Sequence, residues 1–164
     1  MTVPQRDFRD AMARLGAAVN ILTSAGPAGR AGFTASAVCS VTDAPPTVLV
    51  CINRASNNNA VFKSNGVLCV NTLASGQREL SDIFAGATGC SMEDRFAAGV
   101  WGHLVTGAPV LQGAVVSFDC RITEVLEKGT HSVLFAEVEA IRGGSEHEGL
   151  IYFGRDYHRV GNAA

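Results

Sequence analysis

The sequence predicts a mainly β fold with short helices, a β-barrel with helical insertions, on three observations. Residues 116–123 and 133–140 alternate apolar and polar side chains at the period of two that a strand imposes, on either side of Glu127-Lys128-Gly129. Shorter apolar runs recur at 17–24, 47–52 and 67–73, bounded by Gly, Pro, Asn and Asp. The helix-like segments are brief and do not alternate regularly with strands, which disfavours a doubly wound parallel sheet and leaves about six or seven strands with two or three helices.

The elements follow in order. Residues 4–15 read as a helix because Phe8, Met12 and Leu15 recur on one face with charges on the other. A strand at 17–24, the turn Gly26-Pro27-Ala28-Gly29 and a strand from Ala31 form a hairpin. Asp43-Ala44-Pro45-Pro46 breaks the chain, and the β-branched run 47–52 is expected to be buried on both faces. A Ser-Asn run opens a helix over 56–65 that Asn65-Gly66 closes, before a strand at 67–73. A second helix spans 76–85, with Leu80, Ile83 and Phe84 facing inward.

Residues 86–113 are rich in Gly and Ala, with one helical turn at 92–96, and are expected to be irregular and the most mobile part. In the next strand Val116, Phe118, Cys120 and Ile122 face one way and Ser117, Asp119, Arg121 and Thr123 the other. Its neighbour divides Leu134, Ala136, Val138 and Ala140 from Val133, Phe135, Glu137 and Glu139. Residues 150–153 and 157–160 finish the chain as a short strand and tail. With no repeat, linker or low-complexity segment, 1–164 is expected to be a single domain.

Composition narrows the function classes. The apolar share of 47% over 164 residues suits a globular core without disulfides or structural metal. A net charge of -2 offers no basic footprint for nucleic acid or anionic membrane. No run is long enough for a membrane-spanning helix, and Arg6, Asp7, Arg9, Asp10 and Arg14 interrupt any signal-like pattern, so a soluble, cytoplasmic protein is expected. Cys39, Cys51, Cys69 and Cys120 lie in apolar strand-like runs, where cysteine acts as a small hydrophobe. The four histidines show neither helix-pair spacing nor an adjacent cysteine pair, so no metal site is expected.

The stretch Ala-Gly-Phe-Thr-Ala-Ser-Ala-Val-Cys-Ser-Val-Thr, residues 31–42, carries most information about function. Twelve residues with little more than small and hydroxyl side chains, Gly32, Ala35 and Ala37 among them, let a flat, polar-edged ligand such as a flavin reach backbone donors. The same composition also suits a tightly packed sheet. Arg54-Ala55-Ser56-Asn57-Asn58-Asn59, leading into the helix with Phe62 and Lys63, suits a phosphate, and equally suits plain N-capping by Ser56 or Asn57. His131 at a strand start and Tyr152, Arg155 and Tyr157 near the C-terminus are further polar candidates, with Tyr157 taken forward. There is neither a Gly-x-Gly-x-x-Gly helix opening nor a Walker sequence, so any nucleotide is held another way.

Phe8-Arg9-Asp10-Ala11-Met12, GFTASAVCSVTD at 32–43, Pro45-Pro46, Val50-Cys51-Ile52-Asn53, Leu68-Cys69-Val70-Asn71, Arg95-Phe96 with Trp101, Gly129-Thr130-His131 and Gly149-Leu150-Ile151-Tyr152-Phe153 together resemble the short-chain flavin reductases. Within that family the chain looks closest to the reductase component of 4-hydroxyphenylacetate 3-monooxygenase and to the similar reductase of pyrimidine degradation. The resemblance implies an FMN-binding split β-barrel of Greek-key type and a homodimer. It also implies hydride transfer from NADH, or NADPH, to free FMN or FAD, with reduced flavin passed to a separate flavin-dependent monooxygenase.

By the same resemblance Thr34, Ala35, Ser36, Ala37, Ser40 and Val41 line the flavin. Asn53 with Ser56, Asn57, Asn58 and Lys63 holds its ribityl and phosphate portion, and His131 lies on the nicotinamide side. The Asn57-Asn58-Asn59 run replaces a second hydroxyl that many relatives carry. Two readings compete: a flavin-binding electron-transfer protein with tightly held FMN on the same barrel, and an oxidase of the pyridoxamine type. The latter calls for Arg and Lys in the small-residue region, and 31–53 contain neither.

Overall fold

In the computed structural model, which describes residues 2–161, the elements run α1 (Gln5–Met12), β1 (Ala17–Ala18), β2 (Asn20–Gly26), β3 (Gly29–Ala35), β4 (Val38–Asp43), β5 (Pro46–Asn53), α2 (Asn57–Asn65) and β6 (Val67–Thr72). A 3-10 turn (Ser75–Gln77), α3 (Arg78–Phe84), α4 (Met92–Ala97), β7 (Trp101–Gly102) and β8 (Val110–Leu111) follow. The chain closes with β9 (Val116–Lys128), β10 (His131–Gly143), β11 (Gly149–Phe153) and β12 (Asp156–Val160). The single domain expected over 1–164 includes residues 1 and 162–164, which lie outside the described residues.

Seven antiparallel strands form the main sheet in the order β3-β2-β6-β9-β10-β5-β4. Its two edge strands, β3 and β4, are consecutive in sequence, so the chain crosses from one edge to the other through Ser36 and Ala37. The sheet therefore curls into a barrel that stays split along this line. The small-residue run expected as one strand is two, because at Ala37 the chain leaves β2 as partner and joins β5, with the Cys51 amide donating to the Ala37 carbonyl at 3.2 Å.

Leu22, Val50, Ile52, Leu68, Val70, Cys120 and Leu134 fill the barrel, and α2 packs Phe62 onto it. Phe62 meets Phe33 edge to face at 5.5 Å. Ser56 caps α2 by accepting from the Asn58 amide, and Gly66 ends the helix in the left-handed conformation that a residue without Cβ adopts freely. A second core joins α3 and α4 to the small sheet β1-β11-β12 through Val19, Leu73, Phe84, Phe96, Leu111 and Leu150.

Two sequence expectations are corrected, for β5 and the closing segment, and the faces of α1 and β9 are placed. The apolar face of α1 is exposed, with Phe8, Met12 and Leu15 at 58%, 46% and 61%, because the helix lies outside both cores. In β5 only Val50 and Ile52 are buried, inside the barrel core, while Thr47, Val48, Leu49 and Cys51 are half-buried. The polar face of β9 is divided: Ser117 and Asp119 are buried beneath residues 104–111, while Arg121 and Thr123 are exposed. The closing segment is a β11–β12 hairpin on β1 rather than a strand and tail.

The stretch 86–113 is better anchored than its composition suggests. Asp119, wholly enclosed, accepts from the Val105 and Thr106 amides at 2.8 Å each and from the Thr106 hydroxyl. Asn71 accepts from the Leu111 amide and donates to the Ile21 carbonyl. These bonds meet the requirement that buried polar groups find partners. Burial, with Asp119 beside them, pushes the Cys69 and Cys120 thiols up, Cys120 to about 12. Cys39, expected to pack as a hydrophobe, is instead exposed on β4, at the edge of the main sheet.

Gly32 serves packing rather than ligand access. A Cβ there would lie 2.8 Å from the Phe84 ring and 3.1 Å from the Leu22 carbonyl, so α3 seats on β3 only over a glycine. Gly32→Ala is expected to lower stability by about 1 to 3 kcal/mol as an overpacked site, read as a lower urea midpoint at unchanged slope.

Candidate functional site

At the break between β3 and β4 the amides of Ser36 and Ala37 donate to no acceptor among the described residues. Both residues are exposed, and their side chains are small. A cleft of about 220 Å³ opens beside them, lined by Thr34, Ala35 and Ser36 from β3 and its exit, Val19, Ala85 after α3, and Tyr152 and Tyr157 from the closing hairpin. Two elements far apart in sequence thus form one wall each.

The tyrosine wall is held from behind. The Tyr157 hydroxyl donates to Asp82 Oδ1 at 3.1 Å and lies 2.9 Å from the Ser81 hydroxyl. The Thr34 hydroxyl donates to the Ser81 carbonyl at 2.6 Å, so α3 ties the small-residue strand to the hairpin. Tyr152 packs against Tyr157 at 5.3 Å between centroids, and the Arg78 guanidinium covers the Tyr157 ring at 4.9 Å. Burial, reinforced by the Asp82 carboxylate, raises the Tyr157 pKa, while the Ser81 bond opposes the shift. The phenol therefore stays protonated and keeps its donor. Sequence reading missed Ser81, Asp82 and Ala85, whose only signal was two adjacent polar residues on a short helix.

The second group of residues sits at the same end of the barrel. Antiparallel pairing of β4 with β5 places Cys51 beside Ala37, so Asn53 lies two residues further along, toward the Ala35 end. Asn53 pairs in register with His131, the first residue of β10. Its Oδ1 accepts from the Ala55 amide at 2.9 Å, which turns the chain into α2. Asn53, Arg54, Ala55, Gly129 and Thr130 line a groove of about 400 Å³. His131 is exposed, with Nδ1 2.9 Å from the Thr130 hydroxyl.

Ser56, Asn57 and Asn58 form the first turn of α2, and Ser56 Oγ is engaged by the Asn58 amide and side chain. Lys63 is not free: its ammonium pairs with Glu127, which also meets Arg54 at 3.2 Å. The bonds from Lys63 and then Ser132 hold the Glu127 carboxyl below its usual range. Ser40 and Val41 lie elsewhere. Ser40 borders a separate groove of about 420 Å³ along the split, with Val48, Val70, Phe118 and Val138, and Val41 is the bulged, exposed residue of β4.

The arrangement offers an apolar, aromatic-walled cleft, unclaimed backbone donors along its edge and a polar loop beyond it. No group of three or more His, Cys, Asp or Glu able to hold a metal occurs among the described residues. Nor is any helix among them long and apolar enough to cross a membrane. What the site provides is geometry for chemistry carried by bound molecules.

Comparison with known proteins identifies the family. The FMN reductase (NADH) RutF of Ancylobacter novellus is 60% identical over 158 residues, 96% of this chain and 86% of that protein. A crystal structure from Haemophilus somnus 129pt superposes with a TM-score of 0.92 at 48% identity, covering 96% of this chain and all of that one. A nitrilotriacetate monooxygenase component B homologue from Mycobacterium thermoresistibile superposes at 0.86 with 26% identity, over 98% and 90% of the two chains. Because residues 12–161 match the flavin reductase like domain, the chain belongs to that family, and its open seven-stranded sheet is the family's split barrel.

Proposed function

We propose that the protein is an NADH-dependent FMN reductase that passes reduced flavin to a separate monooxygenase, with the β3–β4 break as its flavin site. Kinship with an FMN reductase that uses NADH carries the activity, the cofactor and the reductant. The observation that carries the site is the unclaimed Ser36 amide beside the cleft walled by Tyr152 and Tyr157, with the unclaimed Ala37 amide next along the chain. The residues fit FMN: donors for a ring edge, an apolar cleft for a ring face, and a polar loop at the same barrel end for a phosphate.

When bound, FMN accepts a hydride from the nicotinamide, a reaction the two cofactors carry between themselves. Thr34–Ala37 would support the ring edge and stabilise charge gathering there through fixed backbone dipoles. Tyr157, locked by Ser81 and Asp82, and Tyr152 would hold the rings in contact and exclude water. Asn53, the Asn57 amide and the Gly129-Thr130 turn would receive the ribityl chain and phosphate. His131, opposite Asn53, has a positioning role. Because Lys63 is paired with Glu127, phosphate binding rests on amides more than on that cation.

A homodimer suits the surface, since Val41, Val125, Leu126 and Ile141 remain 40 to 61% exposed on the main sheet. Kinship to a monooxygenase component supports a partner oxygenase. The five unbonded cysteines suit a reducing cytoplasm, and one domain spanning 1–164 suffices for these tasks. The test is NADH oxidation by dialysed protein: negligible alone, restored on adding FMN. Oxidation at full rate without added FMN would favour the electron-transfer reading with tightly held flavin.

A further inference from the structure

We propose that Glu127 is a fixed counter-charge that offsets Arg54 and Lys63 beside the groove of Asn53 and Thr130, and so keeps the phosphate of a bound flavin weakly held. This rests on the reading that FMN sets its ring beside Ser36 and its phosphate toward Asn53. Among the described residues lining that groove, Arg54 alone carries a charge. The Arg54 amide donates to the Thr130 carbonyl at 2.9 Å, which ties the two walls of the groove together at the point where the guanidinium branches off.

That guanidinium is claimed by the protein itself. Its Nε meets Glu127 Oε2 at 3.2 Å, and its Nη1 donates to the Gly129 carbonyl at 3.3 Å. Lys63, on α2, takes the other carboxylate oxygen, Oε1. One carboxylate thus cancels half the charge of the two cations, and an anion entering the groove meets it at short range as a repelling neighbour. The bonds from Lys63 and Ser132 hold the Glu127 carboxyl below its usual range, so the charge is present throughout neutral pH.

An ordinary surface carboxylate would rotate away from an incoming phosphate and release its arginine. Glu127 is held in place instead. The Ser132 hydroxyl, buried and cross-strand from Glu127 in the β9–β10 register, donates to Oε2 at 2.8 Å. Asn59, buried on α2, donates to the Ser132 hydroxyl at 2.9 Å and to the Ile52 carbonyl at 3.3 Å. A line of bonds therefore runs from the core to the carboxylate, and each of its oxygens has a donor. Such a device suits a flavin that must leave after every turnover, because a weaker phosphate contact raises the dissociation rate and leaves the ring contacts untouched.

The test titrates wild-type protein, Glu127→Gln, Arg54→Gln and the double variant with FMN and with riboflavin, which differ only in the phosphate. The wild type is expected to prefer FMN by less than about ten-fold. Glu127→Gln, which keeps the size of the side chain and removes its charge, should tighten FMN by about three- to five-fold, as for partly exposed charges. Its riboflavin affinity should stay as in the wild type, which also reports that the ring site is folded. Arg54→Gln should cost more FMN affinity in the Glu127→Gln background than alone, the coupling expected of two side chains that act on each other. A wild-type preference for FMN above about ten-fold would overturn the proposal, and that comparison needs no variant to fold. Unchanged or weakened FMN binding by Glu127→Gln, or an equal gain for riboflavin, would overturn it as well. Failure of the wild type to bind either flavin, with no FMN-dependent oxidation of NADH, would instead overturn the functional reading.

Discussion

Ser36→Leu should weaken FMN binding by about 1 to 3 kcal/mol, roughly five- to 150-fold in Kd, while leaving the fold intact. Ser36 lines the cleft from an exposed position, and among the described residues its only bond is its carbonyl accepting from the Val38 amide, which any residue supplies. A branched side chain there occupies the space that a ring would enter. Quenching of FMN fluorescence on titration gives the affinity, and circular dichroism the integrity of the sheet. Ser36→Ala, which removes a hydroxyl without adding volume, should bind within a few-fold of wild type. Unchanged affinity in a folded Ser36→Leu protein would place the ring elsewhere.

Asp119→Ala should cost about 3 kcal/mol of stability and loosen residues 103–109. One enclosed carboxylate accepts from two successive amides and a hydroxyl of that loop, and all three donors lose their acceptor when the side chain is cut back. Urea unfolding measures the loss, and limited proteolysis between His103 and Pro109 measures the loosening. Thr106→Val, which removes only the hydroxyl, should cost about 1 kcal/mol. A loss below about 1 kcal/mol for Asp119→Ala would mean that Asn71 and Thr23 hold the loop unaided.

Much of this was legible in the chain. Period-two alternation located β9 and β10, and Ser56 with Asn65-Gly66 marked both ends of α2. What alternation cannot convey is which face meets a loop: it sets Ser117 and Asp119 on the polar side of β9, a side that is normally solvated, yet the 104–111 segment covers them. Likewise Phe8, Met12 and Leu15 gave a sound helical stripe and no hint that it faces outward. The small-residue run announced close backbone approach but not the step across the split. That step depends on which strands become edges, a property of the whole sheet.

The site divides in the same way. Thr34, Ala35, Ser36 and Tyr157 meet in one cleft, and Asn53, the first turn of α2 and His131 share the same barrel end. Ser40 and Val41 sit further along β4, since the break after Ala35 turns them away from the cleft and onto the split. Ser81 and Asp82 were invisible because their role is to brace Tyr157, 75 residues away in sequence. Such contacts exist only once the hairpin is folded over α3.

The central claim is that reduced flavin leaves the protein. It is tested most directly by mixing dialysed protein anaerobically with a large molar excess of FMN and an equal excess of NADH, and following the flavin absorbance. A reductase with a diffusible product bleaches the entire FMN pool, many equivalents per chain, because each reduced flavin is replaced by an oxidised one. Bleaching that stops at one FMN per chain, with the remaining pool still yellow, would contradict the account and assign the barrel to bound-flavin electron transfer.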